Sequence, residues 1–213
     1  MKRFMLITLA IGSLLATVPV ALADTSCNFS SPSFMKIEGN LIVPDNSTCN
    51  LSNSGTVSGN VLVGVNAGLA LEGKWTISGY LQASGCAYVA INPFGYGSTL
   101  VGRYILIENC TGNSPALGTT FPAGAAFGSF GPSSLIGGSF RCHSNAGPCI
   151  LVHDHVGGSV SVTGNRSSLP SQINGNSIAK SLYCYNNAPA PTGLSNWIAG
   201  NPMNATEGQC LGF

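Results

Sequence analysis

Charged residues are scarce in this chain. Lys, Arg, Asp and Glu together make up 7% of the 213 residues, with eight basic against seven acidic side chains. No basic stripe is available to neutralise a run of phosphates, so the charge pattern argues against nucleic-acid binding. Helix-forming residues are also sparse, whereas Gly and Asn are abundant, which favours short strands joined by many turns.

Apolar runs of membrane-spanning length are missing after the first twenty residues. At the N-terminus, two basic residues precede an apolar run that ends at Val20, and the Ala-Leu-Ala sequence ending at Ala23 has the pattern of a signal-peptidase site. The run is short for spanning ~30 Å of hydrocarbon. We therefore predict a signal peptide over residues 1–23 and a single-domain mature protein over 24–213. This mature protein is expected to be secreted or periplasmic, without a transmembrane segment.

No Cys-x-x-Cys pair occurs, although the chain has eight cysteines. The absence of that spacing argues against structural zinc and against thioredoxin-like redox chemistry. All eight cysteines follow the predicted cleavage site, and their number is even. In an exported chain this pattern predicts disulfides formed in an oxidising compartment.

What the chain does contain is a repeat of about twenty residues. Gly39-Asn40-Leu41-Ile42-Val43 recurs as Gly59-Asn60-Val61-Leu62-Val63 and as Gly79-Tyr80-Leu81-Gln82-Ala83. Apolar residues alternate within each unit, and turns rich in Gly, Asn and Ser separate three short segments. In a solenoid, inward residues stack on their equivalents in the next coil, with strands ~4.8 Å apart. We predict an all-β fold, a right-handed parallel β-helix of about seven coils.

A β-sandwich or jelly roll is the alternative fold, because it also has many short strands with regular turns. It would not place like residues at a constant offset of twenty. The solenoid register also relates the cysteines, because equivalent turns of neighbouring coils are one period apart. The resulting hypothesis is four disulfides: Cys27–Cys49 and Cys86–Cys110 between neighbouring coils, Cys142–Cys149 closing a small loop within one coil, and Cys184–Cys210 fixing the C-terminal tail.

The repeat is interrupted between Gly102 and Gly138. We predict a loop inserted over about residues 111–134, because repeat proteins accommodate insertions on one face without breaking the stack. The insertion carries three phenylalanines among small residues: Phe121, Phe127 and Phe130. A long apolar loop either packs over the stack or forms a binding patch. In the second case these aromatic rings are candidates for stacking on sugars.

All three histidines lie close together in the sequence. We expect His153 and His155 on one outer strand face, ~7 Å apart, with His143 from an earlier strand of the same coil. Imidazoles placed in this way bind zinc or copper. The opposing interpretation is a polar turn with solvated histidines, in which Asp154 fixes a bend, and overall we predict no cofactor.

The C-terminal part resembles a family of small exported bacterial proteins of unknown function. The residues that carry the resemblance are Ile173-Asn174-Gly175-Asn176, Leu182-Tyr183-Cys184, Asn186-Asn187, Pro189-Ala190-Pro191-Thr192-Gly193 and Glu207-Gly208-Gln209-Cys210. The likeness covers the repeat throughout and is sharpest over about the last forty residues. It implies a right-handed β-helix with a disulfide-closed cap, and it brings no catalytic residues.

Paired acidic residues, which glycoside cleavage needs, are missing from the sequence. No Asp-Asp, Asp-x-Asp or Glu-x-Glu occurs, and one period after Glu38 the column holds Ser58. We therefore predict an exported, non-catalytic β-helix protein, a structural or adhesion-type module whose partner is carbohydrate or another cell-surface polymer. The alternatives are a polysaccharide lyase or hydrolase and a metal-binding periplasmic protein.

Overall fold

The structure, a computed structural model, describes seven stretches of the chain: residues 23–28, 30–31, 35–92, 97–111, 125–127, 134–200 and 206–213. Residues 1–22, most of the predicted signal peptide, lie outside them. Within the described stretches every regular element is a short strand. This part of the chain contains no helix long and apolar enough to cross a membrane.

The described residues form twenty-five strands in chain order. These are β1 (Thr25–Ser26), β2 (Ser30–Ser31), β3 (Met35–Ile37), β4 (Leu41–Val43), β5 (Thr48–Leu51), β6 (Gly55–Val57), β7 (Val61–Val63), β8 (Gly68–Leu71), β9 (Trp75–Ile77), β10 (Leu81–Ser84), β11 (Tyr88–Ile91), β12 (Thr99–Val101), β13 (Ile105–Glu108), β14 (Ala125–Phe127), β15 (Leu135–Ile136), β16 (Phe140–His143), β17 (Cys149–Val152), β18 (His155–Val156), β19 (Val160–Thr163), β20 (Gln172–Asn174), β21 (Ser177–Ile178), β22 (Leu182–Tyr185), β23 (Thr192–Leu194), β24 (Trp197–Ile198) and β25 (Thr206–Gly208).

The strands form three parallel sheets, and each strand pairs with those three places before and after it in the chain. Sheet A runs from β1 through β4 to β25, sheet B from β2 to β23, and sheet C from β3 to β24. An N-terminal triplet, β1 to β3, is followed by seven full triplets from β4 to β24. This pairing confirms the predicted all-β parallel β-helix of about seven coils.

The core fills the inside of the coils and follows the period-two alternation of the strands. Leu41 pairs with Val61, and Val61 pairs with Leu81, so the predicted twenty-residue register is present in sheet A. All three side chains are fully buried. The largest buried side chains, Trp75 and Phe140, occupy the same interior. Truncating a buried aromatic of this kind costs about 3–5 kcal/mol.

Four disulfides join the predicted pairs of cysteines: three link neighbouring coils, and Cys142–Cys149 closes a loop within one coil. The bonds are Cys27–Cys49, Cys86–Cys110, Cys142–Cys149 and Cys184–Cys210, with Cα–Cα distances of 5.4, 4.4, 6.3 and 5.2 Å. No free cysteine remains in the described residues. Several disulfides in one chain are consistent with an extracellular or periplasmic protein.

Within the predicted loop over residues 111–134, the structure describes one strand, β14, and most of the remaining loop residues lie outside the described stretches. Strand β14 pairs in parallel with β11 on one side and β17 on the other, as part of sheet B. A strand is needed there because the coil would otherwise leave backbone groups of both neighbours unpaired. Of the three predicted binding phenylalanines, Phe127 belongs to β14, whereas Phe121 and Phe130 lie outside the described residues.

Amide side chains stack in the turns between sheets A and B of the later coils. We call this column the amide ladder; its members are Asn145, Asn165, Asn187 and Gln209. The backbone N–H of Asn145 donates to Asn165 Oδ1 at 3.0 Å, that of Asn165 to Asn187 Oδ1 at 3.1 Å, and that of Asn187 to Gln209 Oε1 at 2.8 Å. The three asparagines are almost completely buried. The ladder therefore satisfies turn donors that water cannot reach.

Candidate surface cleft

The corner between sheets C and A carries a column of residues that changes character along the solenoid. Each member directly precedes the first residue of a sheet A strand. We call this set the corner column: Asn40, Asn60, Tyr80, Tyr104, Ser139 and Ser159. The first positions are linked as in the amide ladder, because the backbone N–H of Asn60 donates to Asn40 Oδ1 at 2.8 Å and that of Tyr80 donates to Asn60 Oδ1 at 3.1 Å.

Two tyrosines occupy the middle of the corner column and form a stacked pair. The ring centroids of Tyr80 and Tyr104 are 4.8 Å apart, and their planes differ by 6°. The spacing equals the separation of neighbouring strands, so the rings follow the coil repeat. The face of Tyr104 opposite Tyr80 is turned to the next coil, where the column holds the small Ser139. The aromatic stack therefore contains two rings and ends at Tyr104.

A cleft of about 510 Å³ opens where the stack stops. It is lined by Arg103, Tyr104, Leu106, Gly138, Ser139 and Arg141. Its volume lies within the usual range for small-molecule sites, about 300–1,000 Å³. Gly138 is required by the close approach of the two coils, because a Cβ at this position would lie 2.8 Å from the backbone O of Arg103. The walls belong to the adjacent coils of β13 and β16, whose residues Leu106 and Arg141 are direct partners in sheet A.

The cleft has an uncompensated positive charge. Arg103 and Arg141 are both exposed. The ion pairs among the described residues are Lys36 with Glu38 and His143 with Glu108, and neither includes an arginine of the cleft. No carboxylate belongs to the described lining. Two of the eight basic residues of a nearly neutral chain therefore face one cleft without a counter-ion.

A polar chain of side chains lies beside the cleft on the outer face of sheet A. Ser84 Oγ donates to Glu108 Oε1 at 3.1 Å, and His143 Nε2 lies 3.3 Å from Glu108 Oε2. Nucleophilic catalysis by Ser84 would need the imidazole next to the hydroxyl as a base. Here the carboxylate stands between them, so the geometry does not activate the serine.

The three histidines predicted as metal ligands do not come together. His143 lies in sheet A and His155 in sheet C, on different outer faces of the solenoid. His153 lies in the turn before β18 with φ of 59°, so the alternation expected for a strand does not apply to it. Within the described part of the chain, no group of three or more His, Cys, Asp or Glu side chains could hold a metal ion.

Asp154 is buried in the turn between sheets B and C. Its Oδ1 accepts the backbone N–H of Ser134 at 3.1 Å, and its own N–H donates to Asn176 Oδ1 at 2.9 Å. Burial raises the pKa of this carboxyl to about 7, against the opposing effect of the hydrogen bonds from Ser134 and Val152. Asp154 therefore lies in a turn, as predicted. It is also buried in a column of stacked turn residues, and the sequence pattern does not predict this burial.

Sequence reasoning also missed the cleft. The signal was present in the repeat, where Tyr80 stands in the position of Asn40 and Asn60, followed by Tyr104 one coil later. In the sequence alone, Arg103 and Arg141 contribute only to the total charge. Their proximity depends on the strand pairing of β13 with β16 across the insertion, which the sequence spacing of these strands obscures.

No protein-family model, curated protein or solved structure matches the chain. A β-solenoid hosts many unrelated activities, so the fold alone does not indicate a function. The resemblance to small exported bacterial proteins stays a prediction. Functional conclusions for this protein therefore rest on the geometry of its surface.

Proposed function

We propose that this chain is an exported, non-catalytic β-helix protein that binds a carbohydrate polymer at the corner between sheets C and A. The interrupted stack of Tyr80 and Tyr104 supports this proposal most directly. An aromatic face beside an open cleft can pack against the apolar face of a sugar ring. The ligand ring would then continue the column in the place where Ser139 leaves room.

The rigidity of the scaffold also supports a binding role. The strands on both sides of the cleft pair over their full length, from Ile105 with Phe140 to Glu108 with His143. Two disulfides lie next to these strands: Cys86–Cys110 joins the turns after β10 and β13, and Cys142–Cys149 joins β16 to β17. A preorganised site loses little conformational entropy on binding, which favours affinity for a weakly hydrophobic ligand such as a sugar.

Export is part of the same proposal. The four disulfides are consistent with a protein outside the cytosol, and the N-terminal sequence has the pattern of a cleavable signal peptide. A carbohydrate polymer of a cell surface would be accessible to a secreted or periplasmic protein. The proposed role is therefore adhesion to, or organisation of, such a polymer.

A polysaccharide-active enzyme is the second candidate, and the contact between Glu108 and His143 favours it. These side chains lie on the same strand face as Leu106 and Arg141, two residues further along. Glycoside hydrolysis needs a second carboxylate on the other side of the bond. The described lining of the cleft offers none, which is why we favour binding without cleavage.

The test is a glycan array with the purified protein and two aromatic variants. Tyr104→Ala should lose binding, because it removes the ring that faces the cleft. Trp197→Ala is the matched control, since Trp197 is an exposed aromatic on sheet C, far from the corner column. Equal binding by Tyr104→Ala and wild type would contradict the proposal. New reducing ends or unsaturated sugars after incubation with a bound glycan would favour the enzyme.

A further inference from the structure

The two arginines approach the cleft from different coils. Arg103 directly precedes Tyr104 in the coil of β13, whereas Arg141 follows Ser139 by two residues in the coil of β16. Both line the same cavity. A group held next to the Tyr104 ring would therefore lie in a cavity that two arginines line, one from each of two adjacent coils.

We infer that the cleft binds an acidic sugar residue, whose ring stacks on Tyr104 while Arg103 and Arg141 bind its carboxylate or sulfate. This inference rests on the proposed function and specifies its ligand class. Guanidinium groups form bidentate, charge-assisted hydrogen bonds with such anions. Neither arginine has a carboxylate partner among the described residues, so an anion in the cleft would supply one.

The shape of the cleft favours a sugar over a free anion. An inorganic phosphate or sulfate needs only the two guanidinium groups, yet the lining also includes the Tyr104 ring and the apolar Leu106. Ser139 is small, so the position that would hold the next ring of the corner column contributes no ring of its own. An acidic pyranose uses all of these features, because it has an apolar ring face and a charged substituent at its rim.

The charge distribution favours a sugar over a nucleic acid, whose bases could also stack on Tyr104. Proteins that bind single-stranded nucleic acids combine stacking with a positively charged groove that follows the backbone. Here the formal net charge is +1, and the next basic residue in the turns of this corner, Lys180, lies two coils beyond Arg141. Two isolated arginines can bind a single anionic group, but they cannot follow a continuous phosphate backbone.

The experiment compares ligands that differ only in charge. Isothermal titration measures binding of uronate oligomers, of the corresponding neutral hexose oligomers, of a sulfated neutral oligomer and of single-stranded DNA. We expect binding of the uronate oligomer, the sulfated oligomer or both, with the neutral oligomer at least about tenfold weaker and DNA weaker still. Arg103→Gln and Arg141→Gln should each weaken acidic binding by about tenfold. Lys180→Gln is the control, because it removes the same charge from the same corner outside the cleft.

A further variant tests the cleft without changing charge. Ser139→Tyr should continue the aromatic stack and fill the cleft, abolishing acidic binding while both arginines remain. The variant also removes the hydrogen bond from the Ser159 backbone N–H to Ser139 Oγ at 3.2 Å. The corner accepts a ring at the equivalent positions of Tyr80 and Tyr104, so the fold should persist, and a cooperative thermal unfolding curve would verify that. Undiminished binding by Ser139→Tyr would overturn the inference.

The remaining outcomes separate the inference from the proposed function. Equal affinity for neutral and acidic oligomers, with no effect of either arginine variant, would overturn the inference and leave carbohydrate binding standing. Binding of DNA as tight as that of the acidic oligomers would show a charge effect alone and would also overturn it. Absence of binding to every oligosaccharide would overturn both proposals.

Discussion

The amide ladder and the corner column obey the same geometric rule with different results. In both, equivalent positions of successive coils stack at the strand spacing. The ladder repeats one chemistry from Asn145 to Gln209, and each amide is the hydrogen-bond partner of the next. The corner column changes from amide to aromatic to hydroxyl, and a cleft opens between Tyr104 and Ser139. The repeated amides stabilise the buried ladder, whereas the change from tyrosine to serine in the corner column leaves a cleft on the surface.

Breaking the amide ladder should have the largest effect on stability. Asn165 Oδ1 accepts hydrogen bonds from the backbone N–H and the Nδ2 of Asn145, both at 3.0 Å, and its Nδ2 donates to the Cys142 carbonyl at 3.1 Å. Asn165→Ala leaves the buried backbone N–H of Asn145 without its acceptor. It also removes one hydrogen bond from the Cys142 carbonyl and one from Asn145 Nδ2, which keeps its bond to the Ile107 carbonyl at 3.3 Å. We expect the free energy of unfolding to fall by about 3 kcal/mol in chemical denaturation.

The matched control for that variant lies in the corner column. Asn40 Oδ1 accepts the same kind of hydrogen bond from the backbone N–H of Asn60 at 2.8 Å, but this corner is partly open to water. Water can replace the lost partner there, so Asn40→Ala should cost less than about 1 kcal/mol. Equal losses in the two variants would contradict the distinction between a buried and a surface column.

The acid in the turn between sheets B and C should change stability by a comparable amount, but in a way that depends on pH. Asp154 is 3% exposed, and burial raises the pKa of its carboxyl in the folded protein from 3.8 to about 7. Between these values the folded state holds a proton that the unfolded state has lost. The contribution to stability is therefore complete below pH 4 and is lost as the pH rises through 7.

The variant that isolates this effect is Asp154→Asn. An amide at this position can still accept the hydrogen bond from Ser134, as the Asn176 amide oxygen does from Asp154. At about 1.4 kcal/mol per pKa unit, the wild type should lose roughly 2–4 kcal/mol between pH 4 and 8 relative to the variant. Parallel stability curves for the two proteins, from urea unfolding at each pH, would rule out a raised pKa for Asp154.

The sequence predicts the parts of this molecule that depend on repetition. The offset between Leu41 and Val61 defines the coils, and this register places Cys27 near Cys49 and Cys86 near Cys110, one coil apart. His153 could not be placed in the same way, because its left-handed backbone depends on a turn that the twenty-residue pattern does not contain. Strand β14 was missed because its residues, Ala125–Phe127, lie in a segment rich in small residues without visible alternation. The cleft requires knowledge of which coils are neighbours across that segment.

The smallest expected effect concerns the tyrosine behind the cleft. Tyr80 does not line the cavity, yet its ring supports the Tyr104 ring at 4.8 Å. Tyr80→Ala removes a stacked pair worth about 1 kcal/mol, so stability should fall by that amount. Ligand affinity should also fall several-fold, because Tyr104 gains freedom that binding must then restrict.

Tyr80→Phe separates stacking from the phenolic hydroxyl, since it keeps the ring at the same position of the corner column. It should retain both wild-type stability and wild-type affinity, measured by thermal unfolding and by titration with the best glycan from the array. A loss of affinity in Tyr80→Phe as large as in Tyr80→Ala would assign the effect to the hydroxyl. The polar groups around the cleft would then contribute more to ligand affinity than the end of the aromatic stack does.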